Sequence, residues 1–135
     1  MPIAVMGDKV ISKGPGDTHV VMVPSPSGSV PTPTPGHVFN GMLDTGLSTT
    51  VFCGGKPIAL KGSQATNLPP HIPIGGPSFQ SPPKNTGTVI KGSGTVLVQG
   101  KGVARSMDPV ETCDDILVKN TNAQVQASSQ VYAGE

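Results

Sequence analysis

The chain has 135 residues, which is the length of one domain, and its formal net charge of +1 carries no basic cluster. It contains three Phe, one Tyr and no Trp, so a basic, aromatic-rich surface for nucleic acid is excluded. With 18 Gly and 15 Pro, the composition predicts a compact, loop-rich all-β domain with a small core.

In chain order, strand-like units alternate with two stretches rich in Pro, and no amphipathic helix is predicted. The strand-like units are residues 2–13, 40–63, 87–108 and 116–118. The first Pro-rich stretch, residues 14–38, predicts a stiff loop folded back across the domain, with a linker as the alternative. The second is residues 64–86, and the polar tail after Asn120 could dock a final strand.

A short phrase occurs three times and predicts the architecture. It stands at residues 2–8, 57–63 and 102–108, with Ala at its third position each time. The last two copies and the strands before them align at a constant offset of 45 residues, so we expect pseudo-symmetric arms around one core. An oxygen-bearing side chain ends each copy and is predicted to cap a turn by binding backbone amides: Asp8, Ser63 and Asp108.

The two cysteines receive different predictions from the repeat. Cys53 is equivalent to Val98, an apolar strand position, which favours a small core residue over a disulfide with Cys113. Cys113 instead follows the last copy of the repeat. A core this small needs stabilisation by a disulfide, a metal or a partner.

The histidines and Cys113 form a candidate metal set. His19, His37 and His71 are all predicted to lie in irregular, Pro- and Gly-rich segments outside the repeated strands. Three His and one Cys complete a tetrahedral zinc site, and a closed site of this kind is structural. The alternative is three solvated loop histidines and a buried thiol. Because a metal contributes folding free energy to a small domain, the zinc hypothesis is retained.

The repeated phrase, the Gly-Ser-x-Thr-Val strand opener and the trailing Cys resemble the PAAR-repeat family, which forms the tips of contractile injection systems. The closest similarity is over residues 87–115, where Ala104-Arg105 keeps the Ala-Arg of the motif. Residues 33–43 and 71–76 resemble a PAAR-like variant. The resemblance predicts a PAAR-like tip domain over residues 1–118, followed by a polar tail over residues 119–135.

The resemblance implies a small cone of β-hairpin arms with pseudo-threefold repeats, whose loops converge on a metal-bound vertex. One structural zinc per chain would be held by His19, His37, His71 and Cys113. The implied partner is a trimeric spike protein of the valine–glycine-repeat class (VgrG), with an effector or cargo as a further partner. The implied function is to cap and sharpen that spike and to help pierce the target envelope, with transient contact to its membrane.

Two other functions are weighed against the spike tip. A metal-free β adaptor or phage-like module would keep the repeat and leave the histidines solvated. A zinc hydrolase would need Cys113 off the metal and a general base, for which Asp114 and Asp115 are poor candidates, so we expect no enzyme. The first residues contain no basic leader or long apolar run. We therefore expect assembly in the cytoplasm and export by sheath contraction, without a signal peptide.

Overall fold

The computed structural model describes residues 1–14, 16–112 and 120–134, and it contains strands and no helix within them. The all-β prediction is confirmed. The strands are β1 (Lys9–Ser12), β2 (Asp17–Ser25), β3 (Gly28–His37), β4 (Asn40–Thr45), β5 (Phe52–Cys53), β6 (Lys56–Pro57), β7 (Gln64–Asn67), β8 (Ser78–Phe79), β9 (Thr86–Val89), β10 (Leu97–Val98), β11 (Lys101–Gly102), β12 (Pro109–Thr112) and β13 (Asn120–Gln126).

Six antiparallel strands close into a small barrel in the order β1-β13-β12-β9-β7-β4. Its lining is made of aliphatic and very small residues, and the ring of Phe39 fills the interior. A Cβ atom on Gly41 would lie 2.9 Å from the Phe39 ring, and one on Gly87 would lie 3.2 Å from it. Small lining residues therefore make room for the one aromatic ring of the barrel core.

A ring of backbone hydrogen bonds marks the pseudo-threefold axis at one end of the barrel. The amide of Ala4 donates to the carbonyl of Ala104, Ala104 donates to Ala59, and Ala59 donates back to Ala4, at 2.8–2.9 Å. All three side chains are fully buried. The three copies of the phrase therefore meet at their shared Ala, whose small side chain suits a fully buried position on the axis.

The oxygen-bearing residue at the end of each copy caps a turn, as predicted. The backbone amides of Val5, Leu60 and Arg105 donate to the side-chain oxygens of Asp8, Ser63 and Asp108, at 2.9, 2.9 and 2.7 Å. Each turn leads directly into a barrel strand. The axis ring and these turns therefore lie at the same end of the barrel, where strands β1, β7 and β12 begin.

Three arms project from this end. Two are short hairpins, β5–β6 and β10–β11. The third, here called the composite arm, joins residues 128–134 to residues 1–6 through the Pro2–Tyr132 bridge. Its pairing matches those of Phe52 with Pro57 and Leu97 with Gly102 in the hairpins. Cys53 is a free, half-buried thiol that packs with Val98 against an apolar cluster beneath the arms, which agrees with the core position predicted for it.

The first Pro-rich stretch departs from the prediction of an irregular loop. Residues 17–37 form the hairpin β2–β3, and β8 pairs on the other side of β2. The alternation of Thr with Pro31, Pro33 and Pro35 suits an edge strand, because a proline without an N–H group is tolerated where no neighbour requires a donor. These prolines are exposed on β3, which is the outer strand of the sheet.

Candidate metal centre

The three histidines lie together at the barrel end opposite the arms. His19 is on β2, His37 ends β3, and His71 follows β7. All three side chains are at most 3% exposed. Their ring centroids are 5.3 Å apart for His19 and His37, 5.2 Å for His19 and His71, and 5.8 Å for His37 and His71. His19 and His37 therefore sit in strands, which corrects the expectation that all three histidines occupy irregular segments.

This spacing suits a shared metal ion. Three imidazoles that bind one zinc through a ring nitrogen have centroids about 5 Å apart, given zinc–nitrogen distances of about 2.0–2.1 Å. The Nε2 atom of His37 is buried and has no hydrogen-bond partner among the residues that the structure describes. A buried nitrogen in this state is costly unless a metal or another group satisfies it. The described residues thus fit a histidine-bound metal.

Local contacts set the direction of each ring. The rings of His19 and His37 pack against Phe79 of β8, with centroids 5.5 and 5.4 Å away. The Asn67 side chain accepts a hydrogen bond from the amide of Asn40 at 2.8 Å, and this turns its Nδ2 toward His71 Nδ1 at 3.2 Å. The other ring nitrogen of His71, Nε2, therefore points into the cluster.

Asp17 is a member of this centre that the sequence analysis missed. Its carboxylate is fully buried, and its Oδ2 lies 3.1 Å from His71 Nε2. Asp17, His19 and His71 each offer a ligand atom within 4.8 Å of the others, so the structure contains a possible metal-binding triad. The spacing Asp17-x-His19 could have revealed it, because residues two apart on a strand face the same side.

Asp17 also connects the histidines to the barrel. Its Oδ1 accepts from the Thr112 hydroxyl and from Asn120 Nδ2, the latter at 3.0 Å. Its backbone carbonyl lies 3.3 Å from His37 Nδ1. Thr112 and Asn120 flank residues 113–119. Cys113, the fourth ligand predicted from the resemblance, lies outside the described residues.

The electrostatics favour a neutral imidazole at His37. Burial is the main cause that lowers the pKa of His37 below its ordinary value, and the neighbouring His19 and His71 add to the effect. The backbone hydrogen bond to Asp17 acts in the opposite direction. Because the neutral imidazole is the form that binds metals, burial favours the metal-binding form of His37.

Comparison with known proteins finds a family match in the C-terminal part of the chain. The PAAR motif family matches residues 79–135, which include β9 to β13. No curated protein matches the chain. In the described residues, no helix is long and apolar enough to cross a membrane. PAAR-motif proteins are structural components of the spike tips of contractile injection systems. The repeated phrase and the matched segment agree, and the match supports a PAAR-repeat protein of contractile injection systems.

Proposed function

We propose that this protein caps the end of a trimeric spike through its three arms. Each arm exposes one large apolar side chain at an equivalent position. Phe52, Leu97 and Tyr132 are 56%, 59% and 68% exposed. Each is paired with the first residue of a copy of the repeated phrase. These three side chains are here called the docking triad.

The ring of hydrogen bonds between Ala4, Ala59 and Ala104 is the observation that carries the proposal. A closed threefold assembly presents three equal surfaces around its axis. A monomer with internal threefold pseudosymmetry can place one arm on each of those surfaces, so that no subunit is left without a contact. A spike of the valine–glycine-repeat class has this symmetry, and one chain would cap one trimer.

The end opposite the docking triad would then point toward the target. We propose that a structural zinc, one per chain, is held there by His19, His37, His71 and Cys113. A bound metal of this kind adds on the order of 10 kcal/mol to folding. The chain's own contribution is to bury the rings and fix their directions through Asp17. A rigid vertex would let sheath contraction drive the tip through the target envelope and so export it.

The docking test uses the purified chain and the trimeric spike protein of the same injection system. Substituting Phe52, Leu97 or Tyr132 with Ser should weaken binding about tenfold each, since exposed aromatic and aliphatic anchors dominate interfaces. The matched control is Ile72→Ser, because Ile72 is 72% exposed beside His71, at the opposite end of the barrel. Native mass spectrometry should show one chain per trimer. Binding that is unchanged by the triad variants, or lost in Ile72→Ser, would refute the docking face.

The metal test is independent of the spike. Protein purified without chelator should contain one zinc per chain, and His37→Ala should lose it and unfold at a lower temperature. The matched control is Cys53→Ser, because Cys53 is a free thiol that packs against the apolar cluster at the other end of the barrel. This variant should keep its zinc content unchanged. If the native chain carries no zinc, or His37→Ala retains it fully, the zinc proposal fails and the docking proposal stands.

A further inference from the structure

The composite arm differs from the other two arms in how it is closed. The β5–β6 hairpin turns through Gly54 and Gly55, and the β10–β11 hairpin through Gln99 and Gly100, all with positive φ. The two strands of the composite arm lie more than 100 residues apart in sequence and have no turn between them. Backbone hydrogen bonds join them, from Ile3 N to Val131 O at 2.9 Å and from Ala133 N to Met1 O at 3.0 Å. Noncovalent contacts must therefore keep this arm in place.

Arg105 makes such a contact from the third copy of the phrase. Its side chain is buried, and its Nη1 donates to the carbonyl of Gly134 at 2.6 Å. Nη2 and Nε donate to the two carboxylate oxygens of Asp108 at 2.9 and 3.2 Å, which holds the guanidinium in one plane. The hydroxyl of Ser93 donates to the same Gly134 carbonyl at 2.8 Å. Arg105 and Ser93, both in the third repeat, thus donate hydrogen bonds to the end of the composite arm.

The other copies show that the turn itself does not need an arginine. Val5 and Leu60 stand at the position of Arg105. In the second copy, the amide of Leu60 donates to the hydroxyl oxygen of Ser63 at 2.9 Å, and this caps the turn without an ion pair. Of the residues at this position in the second and third copies, Arg105 is the one bridged to the composite arm, through Ile3, whereas Leu60 is bridged to Val103.

We propose that Arg105 is the clasp of the composite arm, and that it sets the position of Tyr132 in the docking triad. Two members of the triad are positioned by hairpin turns, and the third is positioned by a buried ion pair and a charge-assisted hydrogen bond. A planar guanidinium can bind Asp108 and a carbonyl at once, which the ammonium of a lysine cannot match. The part of this inference that concerns spike binding rests on the proposed function, while the clasp itself is tested without any partner.

The experiment is hydrogen exchange on the double variant Arg105→Leu/Asp108→Ser. This variant recreates the Leu60 and Ser63 pair of the second copy, so the turn keeps its cap and no carboxylate is buried alone. We expect exchange of the Ile3 and Ala133 amides to speed up about 10- to 100-fold, the range for loss of a charge-assisted hydrogen bond. The Val89 amide, bonded to Ser63 O in the barrel, should keep its wild-type rate.

Tyr132 provides a second readout, because it is the one tyrosine of a chain without tryptophan. Its fluorescence anisotropy should fall in the double variant. Ser93→Ala and Ser48→Ala form a matched pair, since both hydroxyls cap equivalent turns and Ser93 also binds Gly134. Ser93→Ala should loosen the composite arm more than Ser48→Ala does.

Three results would overturn the clasp: unchanged exchange at Ile3 and Ala133, an equal increase at Val89, or equal effects of the two Ser variants. A double variant with a loosened arm should also bind the spike about as weakly as Tyr132→Ser. If the native chain does not bind the spike at all, the proposed function fails. The exchange result still decides on the clasp in that case.

Discussion

Replacing Asp17 with Ala tests whether one buried carboxylate organises the histidine end of the barrel. The change removes the acceptor of Thr112, Asn120 and His71 together. Two of these groups keep a second acceptor, since Asn120 Nδ2 also donates to Gly16 O and Thr112 Oγ1 to Asn120 O. Asp17→Ala therefore removes the contact with His71 altogether and weakens the hydrogen bonding of Thr112 and Asn120.

We expect Asp17→Ala to cost about 3 kcal/mol, between the value of one charge-assisted hydrogen bond and that of a broken buried ion pair. Small domains are stable by about 5–15 kcal/mol, so the loss is a large share of the total. In guanidinium chloride, followed by far-UV circular dichroism with chelator present, the midpoint should fall by about 0.5–1.5 M. Chelator separates this effect from any loss of metal.

The matched control is Asp44→Ala. Asp44 is an exposed carboxylate that accepts from the Thr66 hydroxyl at 2.7 Å, and its loss should cost no more than about 0.5 kcal/mol. The reasoning is refuted if the two variants unfold within about 1 kcal/mol of each other. Without chelator, Asp17→Ala should also bind zinc about 10- to 100-fold more weakly, because it loses the group that orients His71.

Three further substitutions test the packing and the turns. Gly41→Ala should destabilise the fold by about 3 kcal/mol, because its Cβ would lie 2.5 Å from the Thr66 carbonyl oxygen. In the same denaturation assay, the control Gly14→Ala should stay near wild type, because its Cβ would have no contact under 3.4 Å. Ala59→Leu should cost about 1–3 kcal/mol by crowding the pseudo-threefold axis, and a stability equal to wild type would contradict that packing. Burial raises the pKa of Asp8 above its ordinary value of 3.8, so the folded state binds the proton more tightly than the unfolded state. Wild type should therefore lose stability relative to Asp8→Ser as pH rises from about 3 to about 6. A stability difference between the two proteins that does not change with pH would rule this out.

Local sequence patterns were sufficient for the repeated part of the fold. The repeated phrase predicted pseudo-symmetric arms around one core, and the structure joins the three copies in one ring through Ala4, Ala59 and Ala104. The capping oxygens were also predictable, because each binds an amide three residues away. A side chain that acts over three residues leaves a signal in the sequence itself.

Contacts between distant segments required the tertiary structure. Asp17 meets Thr112 and Asn120 across about 100 residues, and Arg105 meets Gly134 only because the composite arm closes on the third repeat. Nothing in the local sequence around Asp17 specifies those partners, since barrel closure decides which strand ends meet. The repeat determined the number of arms and their symmetry. Closure of the barrel decided which partners the buried side chains of Asp17 and Arg105 contact, each at its own end of the barrel.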